Sequence, residues 1–139
     1  MEAIQYLRLV RRSVERLPIL KAKQQAALDK ATSGVAGGGG VRSSNISNIP
    51  EAYTIQVERY SRDIDRAERL IREASELVAQ VKNPTSQDIL DLYYLEAEPW
   101  WAVADSIDRT YNYTCTKLHG TALNDFRKVY QGRQYEHSL

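Results

Sequence analysis

The chain has 139 residues with 19 Lys and Arg against 18 Asp and Glu, which is room for one ordinary domain or a helical hairpin with a small module, not two enzyme domains. Near-balanced charge does not by itself announce nucleic-acid binding, and the single cysteine, Cys115, has no intrachain partner for a disulfide. No apolar run approaches the roughly 20 residues that span a bilayer, so no membrane partner is expected and a reducing cytoplasm is the simplest home.

The opening run MEAIQYLRLVRRSVERL mixes apolar and basic residues at helical spacing and lacks the continuous apolar stretch of a signal peptide, so it is expected to be structure. Its rhythm continues through Ala3, Leu7, Val10, Val14, Leu17, Lys21, Gln24, Leu28 and Ala31, with Pro18 expected to kink or break the rod. Residues 32–50, rich in Gly, Ser and Asn, read as a flexible connection. Gly37 to Gly40 are not a phosphate loop, since no Gly-Lys-Ser/Thr follows and no strand precedes.

The strongest periodic signal comes next. Tyr53, Val57, Tyr60, Ile64, Ala67, Ile71, Ala74, Val78 and Val81 alternate spacings of four and three, the stripe that faces a partner helix in a coiled coil. The other side is charged and reads as solvated. Two such rods joined by a loop predict an antiparallel, coiled-coil-like hairpin over residues 1–82, which is expected to pair with a second copy as a homo-oligomer, a dimer being favoured.

At Asn83-Pro84 a good N-cap precedes a proline suited to the first helical position, and a new module is expected over 83–130 with a tail at 131–139. Pro99 and the run Asp108-Arg109-Thr110 divide it into helices at 88–97, 100–107 and 113–130. Its expected core is Ile89, Leu92, Tyr93, Trp100, Val103, Ala104, Ile107, Cys115, Leu118, Ala122 and Phe126. The fold class is therefore all-α: a long antiparallel hairpin plus a small tri-helical module of helix-turn-helix type. Charge is segregated within that module. From Asp88 to Asp108 all six ionised residues are acidic, whereas from Arg109 to Arg133 five bases face one acid, Asp125.

The run from Ile89 to Phe126 resembles the carboxy-terminal promoter-reading domain of bacterial sigma factors. It resembles more closely a family of small phage and prophage transcriptional regulators. The matching elements are Tyr94-Leu95-Glu96, Trp100-Trp101-Ala102-Val103-Ala104 and Leu118-His119-Gly120-Thr121-Ala122-Leu123, in that order. The resemblance extends over nearly the full length, with two coiled-coil-like helices, a Ser/Gly loop and the helix-turn-helix. It departs at the turn, where Asp108 or Arg109 replaces the usual glycine, and at Pro99, Trp101, Thr114, Thr116 and Lys117, where other residue types are commoner. It implies a regulator in the cytoplasm of a bacterial host that binds duplex DNA, with contact to host RNA polymerase left open.

In a helix-turn-helix the first turns of the second helix approach base edges, which nominates Tyr113, Thr114, Thr116, Lys117 and Thr121. Arg109, Arg127 and Lys128 are placed to position the module on phosphates. His119 lacks a second ligand or an acid-base pair nearby and reads as a packing residue, and Cys115 as inert core. Trp100 is expected in the core, and Trp101, one residue on, is left as either a partner anchor or a packing residue. No metal, cofactor or catalytic group is expected, so the chain does not read as an enzyme. The alternative function is a partner-binding or assembly protein working through the hairpin, the small subunit of a phage DNA-packaging machine included.

Overall fold

The structure, a computed structural model, describes residues 1–36 and 51–138, and among them the protein is all-α. Helix α1 (Ala3–Ala36) is built mainly from good helix formers, and its start is closed by the Glu2 backbone N–H donating to the Gln5 side chain at 3.1 Å. Residues 32–36, expected in the loop, belong to this helix; the remainder of that loop, with Gly37 to Gly40, lies outside the described residues. The helix also runs through Pro18 without a break. Helix α2 (Glu51–Ala79) follows.

Contacts divide the chain into two compact units, residues 16–68 and residues 1–15 with 69–139. The first holds the facing stretches of α1 and α2, which run antiparallel: Lys21 reaches Glu68 at 3.6 Å and Gln24 reaches Ser61 at 2.5 Å. Every residue of the α2 seam from Tyr53 to Val81 is buried or half-buried. On α1 the stripe shifts. Lys21 and Leu28 are exposed, and Leu20 and Ala27 are buried instead, so two spacings of three follow one another at Val14, Leu17 and Leu20. The reason is chemical: an ammonium cannot enter the seam without a large desolvation cost, while the adjacent leucine can.

The second unit does not begin at residue 83, where the sequence places a boundary. Short helices cannot enclose a core by themselves, and here the start of α1 and the end of α2 supply its remaining walls. Tyr6, Leu7 and Val10 from α1 and Ala74, Val78 and Val81 from α2 share one apolar cluster with Ile89, Leu90, Tyr94, Val103, Ala122, Phe126 and Tyr130. The Tyr6 ring stacks on Phe126 at 6.1 Å and meets Tyr130 at 5.0 Å.

Polar groups close the joints. The Gln87 amide donates to the Val78 and Ala79 carbonyls at the end of α2 and to that of Val81 just beyond it, while the Asn83 carboxamide accepts from the Thr85 and Ser86 N–H groups. Helix α3 (Pro84–Leu90) continues as a π-helical turn (Asp91–Leu95), and Ala97 just beyond it takes a left-handed φ of 55°. Arg11 of α1 donates to the carbonyls of Tyr93 and Glu98 and lies 4.0 Å from the centre of the Tyr93 ring. Helix α4 (Trp100–Ser106) leads to the last rod, formed by α5 (Tyr111–Tyr113), a second π-helical turn (Thr114–Leu118) and α6 (His119–Ser138). The expected tail at 131–139 is thus helical through Ser138, and Arg133 within it bonds Glu73 of α2 at 2.7 Å.

Candidate nucleic-acid interface

The turn between α4 and the last rod is set by a left-handed residue. Asp108 has φ 57°, and the backbone N–H groups of Asp108 and Arg109 return to the carbonyls of Asp105 and Ala104 at 3.2 and 3.0 Å. This pairing ends a helix abruptly and normally has glycine at the left-handed position. An aspartate there costs less than most residues would, because its short polar side chain tolerates that conformation. Thr110 then caps the new helix, its hydroxyl accepting from the Tyr113 N–H at 3.2 Å.

One side of the last rod is buried at Thr114, Ala122, Phe126 and Tyr130, with Leu118 half-buried between them. The opposite side is open. Tyr113, Thr116, Lys117, Gly120, Thr121, Asn124, Arg127, Lys128 and Gln131 recur at threes and fours and are all exposed. Seven of the eight residues nominated for DNA, including Arg109 in the turn, are therefore accessible. Thr114 is the exception. It has no exposed surface, and its hydroxyl donates to the Thr110 carbonyl at 2.7 Å, one turn back in the same helix. Its methyl packs inward, so it supports the turn and cannot touch a base.

The remaining threonines keep free capacity. Thr116 donates to Asn112 at 2.5 Å and Thr121 to Lys117 at 3.3 Å, both backbone carbonyls, which leaves hydroxyl lone pairs and methyl groups facing outward. Lys117 and Lys128 have no ion-pair partner among the described residues. Arg127 is held by the Asn124 carboxamide at 2.8 Å, and Arg109 by the Asp108 carbonyl at 3.0 Å. Asn124 and Gln131 were not singled out from the sequence; their signal is that they continue the face of Lys117 and Thr121 by further turns. Space above Gly120 is open, and a Cβ there would meet no neighbouring atom within 4 Å, so among the described residues no other helix needs that glycine for close approach.

Behind this face the packing is aromatic. The His119 ring lies 2.7 Å from the Tyr94 hydroxyl through Nε2 and meets Trp100 edge-on at 4.6 Å, while Trp100 stacks on Tyr93 at 3.9 Å. Burial pushes the His119 pKa down, and Arg8 pushes it further the same way, so the ring is neutral near pH 7. Burial also raises Tyr94, which keeps its proton. This is a packing histidine with a side-chain partner. Cys115, expected in the core, is half-buried, with its Sγ 3.8 Å from the Asn112 carbonyl. Among the described residues no group of three or more His, Cys, Asp or Glu side chains is gathered to hold a metal ion, and no helix is long and apolar enough to cross a membrane.

Charge follows the same division. Asp91 is pushed up by burial and by Glu96 and Asp88 near it, which marks the α3 side as crowded with carboxylates. Asp125, the one acid in the basic segment, accepts from Ser86 at 2.7 Å and is half-buried, so it adds little negative charge to the exposed face. Such a face can hold a polyanion and offers hydroxyl, amide and cationic groups to base edges. No protein-family model, no curated protein and no solved structure matches the chain.

Proposed function

We propose that the protein is a transcriptional regulator, of the kind found in phages and prophages, that binds duplex DNA through the last helix of its helix-turn-helix module. The observation that carries this reading is the exposed face from Tyr113 to Lys128, which bears Lys117, Arg127 and Lys128 and no acid. Tyr113, Thr116, Lys117 and Thr121 lie over the first turns, where a recognition helix meets base edges. Arg127 and Lys128 lie about 15 Å beyond Lys117 along the rod at roughly 1.5 Å per residue, more than the roughly 12 Å width of a major groove, which suits them to its flanking phosphates. Arg109 sits in the turn and suits a phosphate at the other edge.

One module with so few bases binds weakly. Two copies paired through the hairpin supply the missing affinity by placing two recognition helices on spaced half-sites. Such a protein acts in the cytoplasm of its bacterial host, and contact with host RNA polymerase belongs to the same reading. The test is selection of fragmented source-genome DNA on the purified protein at two salt concentrations. Recovery of a few discrete fragments, bound less tightly at higher salt, is the expected result. A folded protein that enriches nothing at either salt would refute it.

The second reading, a partner-binding or assembly protein, is favoured by one observation, the exposed Trp101 on α4. A ring-sized oligomer by light scattering would favour a DNA-packaging subunit over a dimeric regulator.

A further inference from the structure

We infer that the outer face of α4, centred on Trp101, is a docking surface for a basic protein segment carrying an apolar anchor. The two tryptophans of α4 have different fates. Trp100 is locked between Tyr93 and His119, and this fixes the rotation of the helix. Trp101, one residue and about 100° further round, is therefore turned outward and is 68% exposed. It has no ring contact or hydrogen bond among the described residues. Asp105, one turn on, shares its exposed side, and Asp108 stands exposed just beyond the helix.

The charge around the indole decides what it takes. An exposed aromatic among lysines and arginines suits stacking on nucleic-acid bases. Here the segment from Asn83 to Asp108 carries six acids and no base of its own, Arg11 and Arg109 reach it at the Tyr93, Glu98 and Asp108 carbonyls, and carboxylates repel phosphate. A protein segment rich in Lys or Arg is the complementary ligand, since opposed charges steer encounter while a buried aromatic supplies the anchor. The module thus has two exposed faces of opposite sign, α4 for protein and the last rod for a polyanion, and they do not compete for one ligand. The inference stands on α4 and does not require the DNA reading to be right.

The test uses the full chain and a dye-labelled amphipathic helical peptide made only of Lys and Leu, with its Glu/Leu counterpart as control, followed by anisotropy. The Lys/Leu peptide is expected to bind and the Glu/Leu peptide not to. Trp101→Ala and Asp105→Lys, both at exposed positions and checked by thermal melting, should each weaken binding by about tenfold or more. Lys117→Ala should leave it unchanged. Equal binding of both peptides, or binding indifferent to Trp101→Ala, overturns the proposal. So does loss of duplex-DNA affinity in Trp101→Ala, which would put the indole against nucleic acid. Sedimentation showing that Trp101→Ala dissociates an oligomer would overturn it too, by making the occupant a second copy of this chain.

Discussion

His119 on the last rod and Tyr94 at the end of the α3 segment are joined through ring nitrogen and hydroxyl at 2.7 Å, so the last rod hangs partly on a titratable group. Either neutral tautomer satisfies this pair. The imidazolium also meets the partial burial of the site and the nearby Arg8, which is why the folded-state pKa is lowered. The unfolded chain then binds the proton more readily than the folded one. The stability this group contributes is full above the ordinary histidine pKa of about 6.5 and is lost as pH falls through the lower folded value. Melting temperature should therefore drop between pH 7 and pH 5, and His119→Gln should flatten that part of the profile.

Tyr6, Glu73 and Arg133 form a chain across three helices, with the tyrosine hydroxyl donating to one carboxylate oxygen and the guanidinium to the other, each at 2.7 Å. Glu73→Ala leaves a buried hydroxyl without its acceptor and should cost about 1–3 kcal/mol. Tyr6→Phe removes the donor and leaves the ion pair, at about 1 kcal/mol. Urea unfolding monitored by circular dichroism ranks the two, and equal costs would mean that the hydroxyl does not matter.

Two non-glycine residues hold left-handed backbone, Ala97 at φ 55° and Asp108 at φ 57°. Alanine there carries a steric cost of roughly 1–2 kcal/mol that glycine avoids. Ala97→Gly should add about 1 kcal/mol of stability, read as a higher urea midpoint with an unchanged denaturant slope, the unfolded-state entropy of glycine taking back part of the gain. Asp108→Gly should gain less, because aspartate tolerates this conformation.

For the proposed DNA-binding function, salt dependence counts phosphates. If Arg109, Lys117, Arg127 and Lys128 each neutralise one, log affinity should fall against log salt with a slope of about −3 to −4 per bound copy. Replacing both Arg127 and Lys128 with alanine should reduce the magnitude of that slope by roughly two and weaken all sequences alike. Replacing Lys117 with alanine should also alter which sequences are preferred, because it lies over the first turns. Thr114→Ser, in contrast, should act on stability and leave sequence preference unchanged, as that residue faces the core.

The α2 seam was legible because nine positions kept one rhythm, and every one of them is at least half-buried. The same rhythm hid the division of the chain, since nothing in the spacing changes at Glu68 where one compact unit gives way to the other. On α1 the shift from Lys21 to Leu20 follows from solvation, which a repeat of apolar and polar letters does not encode. Thr114 was misread for a related reason: a threonine whose hydroxyl is satisfied by its own helix behaves as a small apolar residue. The turn at Asp108-Arg109-Thr110 was legible, but the sequence left Asp108 and Arg109 open as the residue in place of glycine, and the left-handed φ of Asp108 decides between them. The long reach of Arg11 to the Tyr93 and Glu98 carbonyls had no local signal at all, since its partners lie some eighty residues away.

Tyr6 stacks on Phe126 and meets the Tyr130 ring at a tilt, which ties the first turns of the chain to the last helix. During synthesis at about 5–20 residues per second, α1 leaves the ribosome many seconds before those rings exist. Through that interval Tyr6, Leu7 and Val10 have at most the earlier side chains of their cluster, from Ala74 to Val103, against them and lack the Phe126 and Tyr130 rings. The nascent chain is then at its stickiest, and a late truncation removing Phe126 onward would leave it so, which makes aggregation the expected fate of prematurely terminated copies.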